Sequence, residues 1–197
     1  MSDASRLRRL EEKLERYKRL GIARFDKTQT SFVYLYRGKA RHNLEITNFL
    51  YKATLDSKGT RRYYDWVIIS GYYAMFHAAL AALSAITLKI TGAVSEEGPV
   101  GGSHQTVIDA FEYYFHYVPK KVKIEEEHLR ILKTAAEIEA DYVDYIKDAK
   151  SARTTAQYEV TADIQERDAK FIVENAPKFI DRVEMLLDEL GFPIRRS

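Results

Sequence analysis

The spacing of apolar residues predicts a chain built mainly from α-helices. Near the N-terminus, apolar side chains recur every three or four positions, which is the period of one helical face: Leu7, Leu10, Leu14 and Tyr17. We expect Gly21 to end this first helix. A second helix is predicted over residues 40–55, and Ser57-Lys58-Gly59 interrupts its pattern.

The rest of the chain predicts four more helices, over residues 63–90, 104–116, 124–150 and 161–190. In the last of these the apolar stripe continues in phase past Pro177, so we expect this proline to kink the helix rather than end it. Thr161 is expected to cap its start, and Gly191 with Pro193 to end it. The run SFVYLYR at 31–37 has strand propensity, but the pattern offers it no partner strand, so it is interpreted as a connector.

These elements predict an all-α fold, an up-and-down bundle of about five helices with an extra N-terminal helix. Residues 1–30 would form an N-terminal amphipathic helix and connector, and residues 31–197 the helical bundle. Basic side chains outnumber acidic ones in the first helix. That basic face would either be solvated while the apolar stripe docks onto the bundle, or contact phosphate or another chain.

Composition narrows the class of protein. The chain has 197 residues, of which 46% are hydrophobic and 30% charged, so one well-buried core is expected. With 9 Gly, 4 Pro and 0 Cys, a disordered, collagen-like or disulfide-rich protein is excluded, as is a cysteine nucleophile. A net charge of +2 does not by itself indicate nucleic-acid binding. The scarcity of Asn, Gln and Cys favours a thermophilic source, and the charged N-terminus, which lacks an apolar run, favours a cytoplasmic protein.

One stretch is apolar enough to raise the question of a membrane. From Trp66 to Leu88 the chain contains no Asp, Glu, Lys or Arg, and its length would span a bilayer. The stretch nevertheless carries Ser70, two tyrosines and His77, and its alanines suit close packing between helices. We therefore predict the central helix of a bundle, covered on all sides, and no association with a membrane.

Metal and cofactor motifs are sparse. Glu125 and His128 form one Glu-x-x-His, but a di-iron bundle needs a second copy and two further inward glutamates. The glycine-rich segment GPVGGS at 98–103 lacks the lysine and the spacing of a phosphate-binding loop. We therefore predict no metal and no cofactor.

Two stretches carry candidate chemistry. In the apolar helix Tyr73 and His77 are one turn apart and share a face. His77 is either a hydrogen-bonded core histidine or lines a crevice, because an unpaired buried polar group is costly. Between the last two helices, Arg153 could hold a phosphate or carboxylate with its bidentate fork. The alternative for Arg153 is a salt bridge to a neighbouring carboxylate: Asp141, Asp144, Asp148 or Glu159.

Three motifs follow one another along the chain: Tyr72-Tyr73-Ala74-Met75-Phe76-His77, then Ser103-His104, then Arg153-x-x-Ala156-x-Tyr158. In this combination and order they resemble the motifs of the HEPN family of helical nucleotide-binding domains. The resemblance covers about residues 38–190. It implies a bundle of about five helices that is usually a homodimer with an interface cleft. It also implies either a metal-independent endoribonuclease, as in toxins, or a partner of a minimal nucleotidyltransferase.

The chain departs from the nuclease motif at Tyr158, where the family pattern has a histidine after Arg153. A tyrosine with an ordinary pKa near 10 is a poor base at neutral pH. The candidate catalytic residues are therefore Arg153 and Tyr158, with His77 or His104 as a substitute base if the fold brings one of them close.

Three hypotheses follow from these motifs. In the first, a homodimeric HEPN-type bundle binds nucleotide or RNA phosphate at a cleft of Arg153 and Tyr158, flanked by Tyr73, His77 and His104. In the second, the chain is a non-catalytic interaction subunit, antitoxin-like or a scaffold, that partners a nucleotidyltransferase. In the third, all of these residues serve the structure alone.

Overall fold

The computed structural model describes residues 3–57, 62–91, 94–95, 98–99, 103–119, 123–149 and 157–194, with backbone alone at 94–95, 98–99, 103, 139–149 and 157–165. The described residues form six α-helices: α1 (Asp3–Arg19), α2 (Val33–Asp56), α3 (Tyr64–Ala85), α4 (Ser103–Glu112), α5 (Glu126–Ala149) and α6 (Gln157–Glu189). Short elements join them: β1 (Ala23–Phe25), a 3₁₀ helix (Lys27–Phe32), β2 (Leu88–Ile90), β3 (Val94–Ser95), β4 (Gly98–Pro99) and a π-helical turn (Tyr113–Tyr117) that continues α4. The predicted all-α helical bundle is confirmed.

The N-terminal helix docks onto the bundle through its predicted stripe. Leu10, Leu14 and Tyr17 are buried, and α1 contacts α4 and the π-helical turn. The chain leaves α1 at Gly21, whose φ of +70° is a left-handed conformation that favours glycine. The apolar face of α1 is therefore part of the core, while most of its basic side chains remain exposed.

A pair of short strands corrects two predictions. β1 pairs antiparallel with β2, with Ala23 opposite Ile90 and Phe25 opposite Leu88. The third helix was predicted to reach residue 90, but it ends at Ala85, and Thr87 adopts a φ of +65°. The all-α prediction included no pair of strands, and the pairing of β1 with β2 shows that this expectation was wrong. The Asp26 amide extends the pairing by donating to Thr87 O at 2.8 Å. Three-residue strands leave no periodic signal in the sequence.

The segment SFVYLYR is helical rather than a connector. Asp26 caps the 3₁₀ helix by accepting a hydrogen bond from the Thr28 amide at 3.0 Å. α2 follows directly at Val33, which is fully buried, so the second helix begins seven residues before the predicted position at 40. Burial of Val33 and Arg37, one turn apart, overrides the local strand propensity.

α3 lies at the centre of the bundle and contacts α2, α4, α5 and α6. Its side chains are mostly buried, including fully buried Tyr72 and Met75. The prediction that α3 is covered on all sides was wrong, because Trp66 keeps 58% of its surface exposed. By length and composition, α3 alone among the described helices could cross a membrane, and most of it is buried within the protein.

The C-terminal helix, α6, packs against α3 and α5 and completes the core. α6 begins at Gln157, so Thr161, predicted to cap it, lies within the helix instead. Pro177 is inside α6, as predicted, and Gly191 ends the helix region with a φ of +92°. Phe179 of α6 packs against Phe111 of α4 with ring centroids 5.6 Å apart, which joins two layers of the bundle.

Candidate functional site

Two histidines that are distant in the sequence lie in one group of rings. His104 of α4 lies 4.5 Å from Phe76 and 5.5 Å from Tyr73 between ring centroids. His77 lies 5.9 Å from Phe76 and 6.0 Å from Tyr73. We call this group the imidazole–aromatic cluster; its members are Tyr36, Tyr72, Tyr73, Phe76, His77 and His104. The structure thus brings together three of the predicted site residues, Tyr73, His77 and His104.

Three helices supply the cluster. α3 supplies four members, Tyr72, Tyr73, Phe76 and His77, because residues three and four apart share a helical face, as predicted for Tyr73 and His77. α4 begins at Ser103 and packs on α3, which places His104 in its first turn against Tyr72 at 5.4 Å. α2 runs beside α3 and contributes Tyr36, whose ring is 6.2 Å from His77 at an interplanar angle of 20°.

The cluster has a buried floor and an accessible rim. Tyr72 is fully buried and Phe76 is 7% exposed, so these two rings belong to the core. Tyr36, Tyr73, His77 and His104 are half-buried. An incoming planar group would therefore meet aromatic and imidazole faces that the core already holds in position.

Asn43 and Lys39 of α2 complete the surroundings of His77. The amide nitrogen of Asn43 lies 3.1 Å from Nδ1 of His77. Lys39 places its ammonium 5.9 Å from the centroid of Tyr36, a cation–π contact beside the imidazole. Lys39 is exposed, so it places a solvent-accessible positive charge beside the cluster.

Both imidazoles are held in the neutral form. Burial lowers the pKa of His77, a hydrogen bond with the Tyr73 backbone opposes the change, and the positive charge of Lys39, together with that of His104 whenever it is protonated, lowers the pKa further. Burial also lowers the pKa of His104. A neutral imidazole can donate through one nitrogen and accept through the other, so at neutral pH the cluster offers both functions.

Sequence reasoning missed Tyr36, Lys39 and Asn43. It placed the start of the second helix at residue 40, which left Tyr36 and Lys39 in an apparent connector. Tyr36 and Asn43 are two helical turns apart and so share a face once α2 begins at Val33. The seven-residue spacing of Tyr36 and Asn43 is therefore the feature of the sequence that could have indicated a shared helical face.

The remaining candidates lie elsewhere or outside the described part of the chain. Arg153 falls within 151–156, outside the described residues, and Tyr158 lies in the first turn of α6 with only its backbone described. Nδ1 of His128 lies 3.9 Å from Oε2 of Glu125, the other member of the Glu-x-x-His pair. Among the described residues, no three His, Asp or Glu side chains form a group that could hold a metal ion.

Comparisons of the chain with family models, with curated proteins and with solved structures found no match.

Proposed function

We propose that this protein is a HEPN-type helical domain that binds a nucleotide or single-stranded RNA at the imidazole–aromatic cluster. One observation carries the proposal: His77 and His104 come from different helices and contact the same two rings, Tyr73 and Phe76. Aromatic faces with adjacent hydrogen-bonding groups are what proteins use to hold unpaired bases.

Each accessible member of the cluster has a part in this proposal. A base stacks on Tyr36 or Tyr73, and a neutral imidazole donates to or accepts from its edge or the ribose 2′-OH. Lys39 attracts the phosphate from its exposed position on α2. The sequence resemblance adds Arg153 as a phosphate clamp and Tyr158 as a hydrogen-bonding or stacking partner.

RNA cleavage is the catalytic form of the same proposal. Cleavage without a metal needs a base that removes the 2′-OH proton and a cation that stabilises the charge on the phosphorane. His77 or His104, both neutral because burial lowers their pKa values, would be the base. Arg153 would be the cation, so Tyr158 need not replace the family's histidine as the base.

Binding of a fluorescent single-stranded RNA, followed by anisotropy, tests the proposal. Because stacking contributes about 1–3 kcal/mol per base, Tyr73→Leu should weaken binding about tenfold. His104→Ala should also weaken it, whereas His42→Ala, which removes an exposed imidazole from α2, should not. Equal affinities in all three variants would refute the cluster as the site. Incubation of the RNA in EDTA, with Arg153→Ala as the comparison, tests cleavage separately.

A second candidate function is that of an interaction subunit, as a homodimer or with a nucleotidyltransferase partner. Trp66 favours it, because this ring is 58% exposed on the same face of α3 as Tyr73 and His77. A large exposed aromatic residue on an uncharged helix face is typical of protein interfaces. Sedimentation of the wild type and Trp66→Ala at micromolar concentration tests self-association. A monomeric wild type would remove the homodimer from this proposal.

A further inference from the structure

A second concave site lies between α1, α4 and α5, away from the residues used above. The cleft has a volume of about 450 Å³, within the range of about 300–1,000 Å³ typical of small-molecule sites. α1 lines one wall with Arg6, Arg9 and Lys13, and α5 places Lys133 opposite. α4 adds Asp109 and Glu112, so the cleft places charged groups of both signs beside apolar side chains such as Leu10 and Ile108.

The first carboxylate of the cleft is fully engaged within the protein. Asp109 is 3% exposed. It accepts hydrogen bonds from Lys13 at 2.9 Å, from the Tyr17 hydroxyl at 2.9 Å and from Gln105 at 2.8 Å. These contacts neutralise Asp109 and fix the ammonium of Lys13 at the edge of the cleft.

The second carboxylate holds two more cations. Glu112 is also 3% exposed, and its oxygens lie 2.7 Å from Nε of Arg6 and 2.6 Å from Nζ of Lys133. The contact of Arg6 is made through Nε, and the two terminal nitrogens of a guanidinium carry four further N–H donors. Glu112 therefore orients Arg6 without using all of its donors, whereas Nζ of Lys133 is buried beside the carboxylate.

Arg9 adds a charge that no buried carboxylate balances. It lines the cleft, is exposed, and forms no ion pair with any carboxylate in the part of the chain that the structure describes. Glu137 is the remaining charged residue of the lining and lies exposed on α5. Four cations thus face three carboxylates, of which the two buried ones are already paired.

We propose that this cleft binds a small polyanion, a molecule that carries phosphate groups or clustered carboxylates. Arg9 and the free donors of Arg6 would bind the anionic oxygens, the buried ammonium of Lys133 would add positive charge behind them, and the buried carboxylates would hold Arg6 and Lys133 in place beforehand. Such preorganisation lowers the entropic cost of binding. The volume suits a small molecule, and no residue of the imidazole–aromatic cluster lines the cleft, so this site is separate from the nucleotide or RNA site proposed above.

Isothermal titration of the full chain with inorganic pyrophosphate, and separately with citrate, tests the proposal at low salt. We expect saturable binding of at least one of the two, weakened about tenfold or more in Arg9→Ala. Arg8→Ala is the matched control because it removes the same charge from the neighbouring position, where Arg8 pairs with Glu12 instead. Glu137→Gln should tighten binding, since it removes the carboxylate of the lining that forms no ion pair within the described part of the chain.

The outcomes separate the two ligand sources and the two sites. Pyrophosphate binding alone identifies a phosphorylated ligand, citrate binding alone a polycarboxylate, and either supports the cleft. His77→Ala should leave this binding unchanged, so its result does not depend on the RNA proposal. The proposal is overturned if neither anion binds at millimolar concentration, or if Arg8→Ala and Arg9→Ala weaken binding equally.

Discussion

The side-chain amide of Asn43 and the imidazole of His77 form a polar pair between α2 and α3, with Nδ2 of Asn43 3.1 Å from Nδ1 of His77. An amide nitrogen only donates, so this pair is a hydrogen bond when Nδ1 of His77 carries no proton and the proton of the neutral ring is on Nε2. Burial, the largest cause, lowers the pKa of His77 and so favours the neutral ring that such a pair requires.

The two cluster histidines should make the folded protein less stable in acid. Burial lowers the pKa values of His77 and His104 below their unfolded value. Their contribution to stability is therefore complete above a pH of about 6.5 and is lost as the pH falls through the folded-state values. Urea unfolding at pH about 7.5 and about 5.5 should show a fall in stability that His77→Gln reduces.

The exposed His42 provides the control for this effect. His42→Gln removes an imidazole from the same helix that carries Asn43, so it should leave the difference between the two pH values as in the wild type. An NMR titration gives a direct reading, with the His77 and His104 ring signals moving at a pH below the ordinary value of about 6.5. Titration of both rings above that value would contradict the prediction.

Gly71 of α3 faces Ile172 of α6 and Thr47 of α2 with no room for a side chain. A Cβ at this position would overlap Cγ2 of Ile172 and lie 3.2 Å from Cγ2 of Thr47. Ile172 is fully buried and its β-branched side chain is stiff, so it has little room to move. Gly71→Ala should destabilise the fold by about 1–3 kcal/mol, measured by urea unfolding.

Gly38→Ala is the matched substitution. Gly38 lies in α2, is exposed, and has nothing within 4 Å of the position a Cβ would take. The same change of residue should therefore stabilise the protein by about 0.5–1 kcal/mol through helix propensity alone. If Gly71→Ala behaved like Gly38→Ala, the close packing of α3 against α6 would be wrong.

Local periodicity predicts the helices of this fold but not the contacts between distant segments. The stripe of α1 and the termination at Gly21 and Gly191 follow from spacing and backbone preference, and both are confirmed. β1 and β2 are three residues each, and their pairing joins the segment after α1 to the segment after α3. No local pattern carries that information, because each strand is stabilised by the other.

The candidate site shows the same division. Tyr73 and His77 share a face because they are one turn apart, which the sequence predicts. His104 joins them because α4 packs on α3, and Asn43 reaches His77 only because α2 runs beside α3 in the observed register. Those contacts depend on tertiary packing. The sequence therefore predicts Tyr73, His77 and His104 as candidates but not how they are arranged in space.

Tyr17 should contribute to stability through its hydrogen bond to Asp109. Its hydroxyl donates to Oδ2 at 2.9 Å, and burial followed by the charge of Asp109 raises the pKa of Tyr17 to about 12. Tyr17→Phe should cost about 1.5–3 kcal/mol at neutral pH, measured by urea unfolding, since the bond is to a charged group. The stability contributed by this proton is present below about pH 10 and lost as the pH rises towards 12. An alkaline slope unchanged in Tyr17→Phe would contradict this assignment.

Arg37 should tie the end of α6 to α2 more strongly than the neighbouring Arg41 does. Arg37 is 6% exposed, donates to Phe192 O at 2.7 Å and forms an ion pair with Glu184. Arg37→Met removes the buried partner of Glu184 and the donor to Phe192 O, and Glu184 keeps only the contact with Arg41, so this variant should cost about 1–3 kcal/mol. Arg41 contacts Glu184 at 3.0 Å, but its side chain is 46% exposed, so Arg41→Met should cost about 1 kcal/mol or less. Adding Glu184→Gln to Arg37→Met should restore part of the loss in urea unfolding, because residue 184 then no longer carries a charge that has lost its buried partner. Equal losses for the two arginine variants would show that burial of Arg37 does not determine the strength of this contact.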